Sequence, residues 1–370
     1  MNKLKVQAAP LRKAVNQLSK VISGGTVLRI FDNILFDVTP EVLTLTASDI
    51  EITMQTAIQC EGSGTFAFCI SAEDIKKICD KAQTGAYEFE YTTTVQDTHI
   101  AHHVKIKTDL GKNAFVCDDA IDFARMPAVD GKTITINDVL LQSITTAIPF
   151  VSADTLRPTM TSVYFECIDK QLKIVATDAN RLYVSEPMQW GVDDVKACVP
   201  KKSCALMLSL FTDGSVTISE NSIQFTDGSV TIHARLIDGA YVAYQTVIPT
   251  YEGAATVDKY ELLSAVEYAM ISANVKTKMV VVSLSKDDMT VSAEDVDMAT
   301  GTVSEPIEVT DNSIPDFTFG MDGAALISSM KAIPCNEVTI CSDGADNRAI
   351  IFNNRNNKDL ILQMPLNKLS

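Results

Sequence analysis

Apolar and polar residues alternate along much of this chain, and one alternating segment occurs three times. The copies are Leu43-Thr-Leu-Thr-Ala47-Ser-Asp49, Leu172-Lys-Ile-Val-Ala176-Thr-Asp178 and Met289-Thr-Val-Ser-Ala293-Glu-Asp295. A period of two predicts a half-buried strand, and each copy then closes on Ala-x-Asp. The aspartates stand 129 and 117 residues apart. Such a spacing exceeds the roughly 20–50 residues of a solenoid unit and matches a small domain of about 100–150 residues. Three tandem copies of one domain are expected, over 1–128, 129–250 and 251–370.

Other landmarks recur in the same order. Each copy opens on a helical pattern, near Pro10–Val21, Asp138–Ile148 and Lys259–Ile271. After each aspartate an apolar strand runs into a second helix. These pairs are 66–70 into 71–82, 197–200 into 203–211, and 317–321 into 323–332. Ser71 with Asp74, and Asp258 with Glu261, have capping-box spacing and mark helix starts. Each copy ends on an apolar-proline pair, Met126-Pro127, Ile248-Pro249 and Met364-Pro365, which suits a strand end or a link because proline donates nothing to a ladder. The octapeptide Phe-Thr-Asp-Gly-Ser-Val-Thr-Ile at 211–218 and 225–232 predicts a tight antiparallel meander turning at Asp-Gly. The class expected is α+β, with two helices and antiparallel sheets in every copy.

Composition narrows the function. Of the 370 residues 46% are apolar and 21% charged, as in an ordinary globular protein. No segment approaches the roughly 18 apolar residues of a membrane span, and no apolar stretch follows the basic N-terminus as an export signal requires. Nine cysteines without paired spacing read as reduced, largely buried thiols of a cytoplasmic protein. Neither phosphate-loop glycine pattern nor a Gly-x-Ser-x-Gly elbow occurs, so no catalytic residues and no cofactor are assigned. His99 and His103 share a face of a strand and keep a metal-dependent enzyme as the alternative reading, although no cysteine or acidic pair completes four ligands. The acidic pairs Asp49/Glu51 and Asp295/Asp297 recur at equivalent places and read as turns or caps.

The net charge is −16, yet residues 1–31 contain Lys3, Lys5, Arg12, Lys13, Lys20 and Arg29 and no acid. The helix after Pro200 begins with Lys201-Lys202 and carries no acid as far as Phe211. Cations gathered on selected helices of an acidic chain point to a local track for a polyanion.

Three further segments carry a family resemblance. Val175-Ala-Thr-Asp178-Ala-Asn-Arg181-Leu182 resembles the central motif of the bacterial DNA polymerase III beta subunit, the sliding clamp. The stretch from Leu236 to Pro249 resembles that family's passage from second to third domain, and Leu362-Gln-Met364-Pro365-Leu366 its C-terminal tail. The resemblance spans the whole length.

It implies the DNA clamp fold and a ring-forming homodimer, with helices lining a hole for duplex DNA. Arg12, Lys13, Lys20, Arg29, Lys201 and Lys202 would then contact phosphates without reading sequence. It implies partners as well: a second copy, and the replicative polymerase, clamp loader and repair proteins, which bind through short peptides. Their cleft would be formed by Arg157, Met160, Thr177, Ala179, Asn180 and Arg181 with Leu182, Pro249, Leu362, Met364, Pro365 and Leu366, an apolar groove with an arginine rim. Met270 and Ile271 would meet an edge strand near Val104 and Ile106 of the other copy. The family commonly has Gly-His where this chain has Ala179-Asn180, which narrows the groove. It commonly has a DNA-touching arginine near Ser23-Gly24-Gly25, and usually ends before Asn367–Ser370.

Overall fold

The structure, a computed structural model, describes residues 2–22, 28–96, 99–191, 194–295, 297–345, 348–354 and 357–366. The Ser23–Gly25 loop and the Asn367–Ser370 tail singled out above lie outside these residues.

All three repeated segments form the same element. They are the strands Val42–Ser48, Gln171–Thr177 and Asp288–Asp295. The closing aspartate then organises the turn. Asp49 Oδ1 accepts from the N–H groups of Glu51 and Ile52, at 3.2 and 2.7 Å. Asp178 Oδ1 accepts from those of Asn180 and Arg181, at 3.0 and 2.8 Å, and Asp295 Oδ1 from those of Asp297 and Met298, at 3.0 and 3.3 Å. The repeated carboxylates therefore hold turns, as expected of short side chains that bond the backbone two and three residues on.

Among the described residues there are six α-helices: α1 Ala8–Leu18, α2 Ala72–Lys81, α3 Asp138–Ala147, α4 Lys201–Leu210, α5 Lys259–Ala269 and α6 Gly323–Ala332. Both capping signals hold. Ser71 accepts from Asp74 N–H, and Asp258 from the N–H groups of Tyr260 and Glu261.

Contacts divide the chain into two compact units that do not follow the repeats. One comprises residues 1–137 and 205–236, the other 138–204 and 237–370. In the first unit a five-stranded sheet runs in the order Glu61–Gly62, Asn2–Gln7, Ala86–Gln96, His99–Thr108, Gly111–Cys117. An eight-stranded sheet joins strands of the first copy to the second copy's meander, through Ile52–Gln59 beside Val230–Arg235 with Met54 opposite Ile232. The meander itself, Gly214–Ile218, Ser222–Thr226 and Val230–Arg235, is antiparallel throughout. Phe36 and Phe68 of one sheet stack on each other at 5.1 Å and pack on Phe89 of the other sheet, at ring-centroid distances of 5.7 and 6.4 Å. Helices α1 and α2 pack on each other and on the eight-stranded sheet, burying Leu11, Val15, Leu18 and Ile75.

The second unit holds one fourteen-stranded antiparallel sheet, in which Arg181–Val184 of the second copy lies beside Asn357–Gln363 of the third. Helices α5 and α6 pack together, and α3 touches α6. Each copy thus completes its sheets with strands of its neighbour. A strand edge is a row of unpaired N–H and C=O groups, and pairing between copies satisfies it.

Candidate functional site

The basic residues fall into two groups by exposure. On α1 Lys13 is exposed and Arg12 half-buried, and Lys20, in the turn that follows the helix, is exposed. The Nε of Arg12 is enclosed, without a hydrogen-bond partner among the described residues, so this side chain is less available than the sequence implies. Lys20 Nζ lies 3.2 Å from Ser209 Oγ on α4. Arg29 is exposed but sits on a separate 3-10 turn, Arg29–Asp32. In the other unit Lys201 and Lys202 are exposed in the first turn of α4, where no acid accompanies them. Cations at a helix N-terminus oppose the helix dipole, so local stability does not explain these lysines.

The proposed cleft residues lie in the second unit and divide by strand alternation. Leu182 opposes Leu362, and both point into a buried cluster with Tyr164, Val175, Val184 and Tyr244. Ile237, Tyr241 and Ile248, from the passage between second and third copies, pack on that cluster. Their neighbours Arg181 and Gln363 point the other way, as a period of two requires.

That opposite face borders a cavity of about 410 Å³. Asn180, Arg181, Met364, Pro365 and Leu366 line it, together with Asp178 and Gln363. The rest of the wall is the start of α6, with Asp322, Ala324, Ala325 and Ser328. Sequence reasoning missed these α6 residues. The available signal was Asp322, an aspartate followed by Gly323 and then Ala-Ala-Leu, which accepts from Ala325 N–H at 2.9 Å as an N-cap. Met160 and Thr177 are buried, Ala179 is exposed, Pro249 is half-buried, and none of these four is part of the cavity lining.

Arg181 is a wall of the cavity rather than a rim. Its guanidinium bonds Asp178 Oδ2 through Nε and Nη2, both at 3.0 Å, and donates to the carbonyls of Pro149 and Ala325. It also lies over the Phe150 ring at 5.0 Å. Only 11% of the side chain is exposed. Arg157 is the rim arginine, at 62% exposure, and is also outside the cavity lining.

The expected joint needs one correction. Val104 and Ile106 are fully buried in their own chain, and their strand His99–Thr108 is hydrogen-bonded on both sides. The terminal strand of that sheet is Gly111–Cys117, where Val116 is 75% exposed. On the other unit Ile271 is 77% exposed, whereas Met270 packs against Gly323. The helix end bearing Ile271 adjoins the short strand Thr300–Val303 through a 2.5 Å contact between Ser272 Oγ and Thr302 Oγ1. Among the described strands, Thr300–Val303 pairs only with Asp288–Asp295.

The histidine alternative loses its geometry. His99 and His103 are four residues apart on one strand, which separates their Cα atoms by about 13 Å. His103 Nε2 faces Thr94 Oγ1 at 3.2 Å, and the His99 side chain lies outside the described residues. Among the described residues no group of three or more His, Cys, Asp or Glu could hold a metal ion. No described helix is long and apolar enough to cross a membrane.

Comparison with known proteins places this architecture. Profiles of the DNA polymerase III beta subunit match the N-terminal domain over residues 2–101 and the central domain over residues 135–242. The beta sliding clamp of Streptococcus pneumoniae is 25% identical over 343 residues, covering 89% of each chain. The solved beta sliding clamp of C. crescentus, described as carrying PEG at a beta-motif tethering region, superposes with TM-score 0.89 at 21% identity, covering 99% of both chains. A Bartonella birtlesii sliding clamp bound to griselimycin superposes with TM-score 0.88 at 18% identity, covering 99% of this chain and all of the other. With its recurring strand-turn units, its sheets shared between copies and these matches along nearly its whole length, the chain belongs to the bacterial DNA polymerase III beta subunit family, the beta sliding clamps.

Proposed function

We propose that two copies of this chain close head to tail into a ring around duplex DNA and tether the replicative polymerase. In this reading the chain is three clamp domains, 1–128, 129–250 and 251–370, and it acts by topology rather than catalysis. The observation that carries it is the threefold strand and aspartate turn in a chain matched over 89% of its length by a sliding clamp. Charge supports it. Two copies double −16 to −32, so DNA is repelled by most of the surface and attracted only where lysines cluster. Loose lysine contacts to phosphate give position without sequence readout, which a sliding ring requires.

The joint in this reading pairs the open edge Gly111–Cys117 of one copy with Thr300–Val303 of the other, beside Ile271. Lys105 and Lys112 flank the first edge, where Lys107 is already paired with Glu88, and Glu294 and Glu305 flank the second, so Lys105 and Lys112 are opposite in charge to the second edge. The cavity at Arg181, Met364 and the start of α6 receives the partner peptide, and the description of a beta-motif tethering region in the C. crescentus clamp supports a peptide-tethering site in the family.

The test is retention on circular DNA. Replacing Lys13, Lys20, Lys201 and Lys202 together by Glu should shorten the lifetime of the loaded ring and make its loss less steeply dependent on salt, because fewer phosphate contacts release fewer counterions. Folding should change little, because exposed charges contribute only about 0–1 kcal/mol each. Unchanged retention of the fourfold variant would remove these lysines from the DNA track.

A further inference from the structure

The peptide groove of this chain has an electrostatic bias. Three ionisable groups line it: Asp178, Arg181 and Asp322. The first two cancel. Asp178 uses Oδ1 on the N–H groups of Asn180 and Arg181 and Oδ2 on the Arg181 guanidinium. Arg181 in turn is held by that carboxylate, two carbonyls and a ring. An incoming carboxylate therefore finds no available guanidinium.

Asp322 is different. Its Oδ1 caps α6, and its backbone carbonyl accepts from Gln363 Nε2 at 3.2 Å. Among the described residues Oδ2 has no hydrogen-bond or ion-pair partner, and the residue is half-buried at the cavity wall. The capping carboxylate also answers the positive end of α6, which would otherwise favour an anion. Around it the wall is small and uncharged, with Ala324, Ala325 and Ser328, which leaves room for a long side chain.

We propose that this groove selects a peptide that places a lysine or arginine side chain against Asp322 and discriminates against one that places a carboxylate there. The inference rests on the groove being the peptide site. Charge complementarity identifies the occupant: one open carboxylate oxygen, an arginine already neutralised by Asp178, and no other cation among the described residues of the wall.

The experiment titrates the intact protein with fluorescent peptides from the clamp-binding segment of the cognate polymerase. Each polar position is set in turn to Lys, Gln or Asp, and anisotropy gives the affinity. At one position the order should be Lys, then Gln, then Asp, with up to about fivefold between steps at low salt, narrowing at about 0.5 M salt. Asp322→Asn keeps a good N-cap while removing the charge, and should abolish that order. No ranking at any position, or a ranking that survives Asp322→Asn, overturns the proposal. A Gln peptide that binds and is weakened by Met364→Ala upholds the groove in either case. Failure of every peptide to bind overturns the groove reading and this inference with it.

Discussion

Ala179 carries a backbone conformation that its side chain disfavours. Its φ is +75°, and Ile50, at the equivalent turn of the first copy, has φ +82°. The neighbouring bonds impose this. Asp178 N–H reaches Arg181 O at 3.2 Å, and Asp49 N–H reaches Ile52 O at 3.0 Å. A hydroxyl before each aspartate, Thr177 or Ser48, donates to the same carbonyl and accepts from the N–H of the strained residue. The left-handed region costs a residue with a Cβ about 1–2 kcal/mol, while glycine adds unfolded-state entropy of about 0.4–1 kcal/mol. Ala179→Gly should therefore be neutral to slightly stabilising. Ile50→Gly should stabilise by about 1 kcal/mol, because a β-branched residue is poorest at this angle and Ile50 is already half exposed. Urea denaturation midpoints decide it, and losses above about 0.5 kcal/mol in both variants would sink the strain argument. The family glycine at position 179 was visible as a departure in sequence, but that the alanine pays for it in backbone angle was not.

At the scale of elements, the helices were the most legible part of the chain. The starts of α2, α5 and α6 are written in short polar side chains, and Asp258 is the clearest case, with two N–H groups at 2.8 and 3.0 Å. Asp258→Ala should cost about 1 kcal/mol and Asp258→Asn much less, measured as a change in thermal midpoint. Equal losses in the two would mean that charge, not the cap bond, stabilises α5. Strand positions were legible too, since all three repeats fell on strands. Strand neighbours were not. The edge expected near Val104 and Ile106 lies one strand further on, because the hairpin returns through Gly111 and covers that strand. Alternation tells which face a residue takes, but not whether another strand arrives beside it. The cleft residues show the same limit: Leu182 and Arg181 are adjacent in sequence and take opposite faces, and only the pairing to Leu362 and Gln363 tells which side forms a cavity.

At the scale of the molecule, the proposed joint is exposed apolar residues beside two open edges. Val116→Glu with Ile271→Glu should convert the dimer to monomer by sedimentation, since each substitution places a charge where an apolar contact would be buried. A dimer that persists in the double variant would move the joint elsewhere. Repetition, helix starts, turn aspartates and the separation of basic helices from an acidic remainder were determined by the sequence alone. These are properties of short windows, or of the same window recurring. The tertiary structure decided which strands pair across copies, why contact-dense units cut through the second repeat, and which side of the Arg181–Val184 strand is hollow. It also turned Arg181 from an expected rim into a buried tie between Pro149 and Ala325, and brought Asp322 into a groove beside Arg181, about 140 positions away in the chain. Such contacts join segments far apart in the chain, and nothing in the local pattern of either segment encodes its partner.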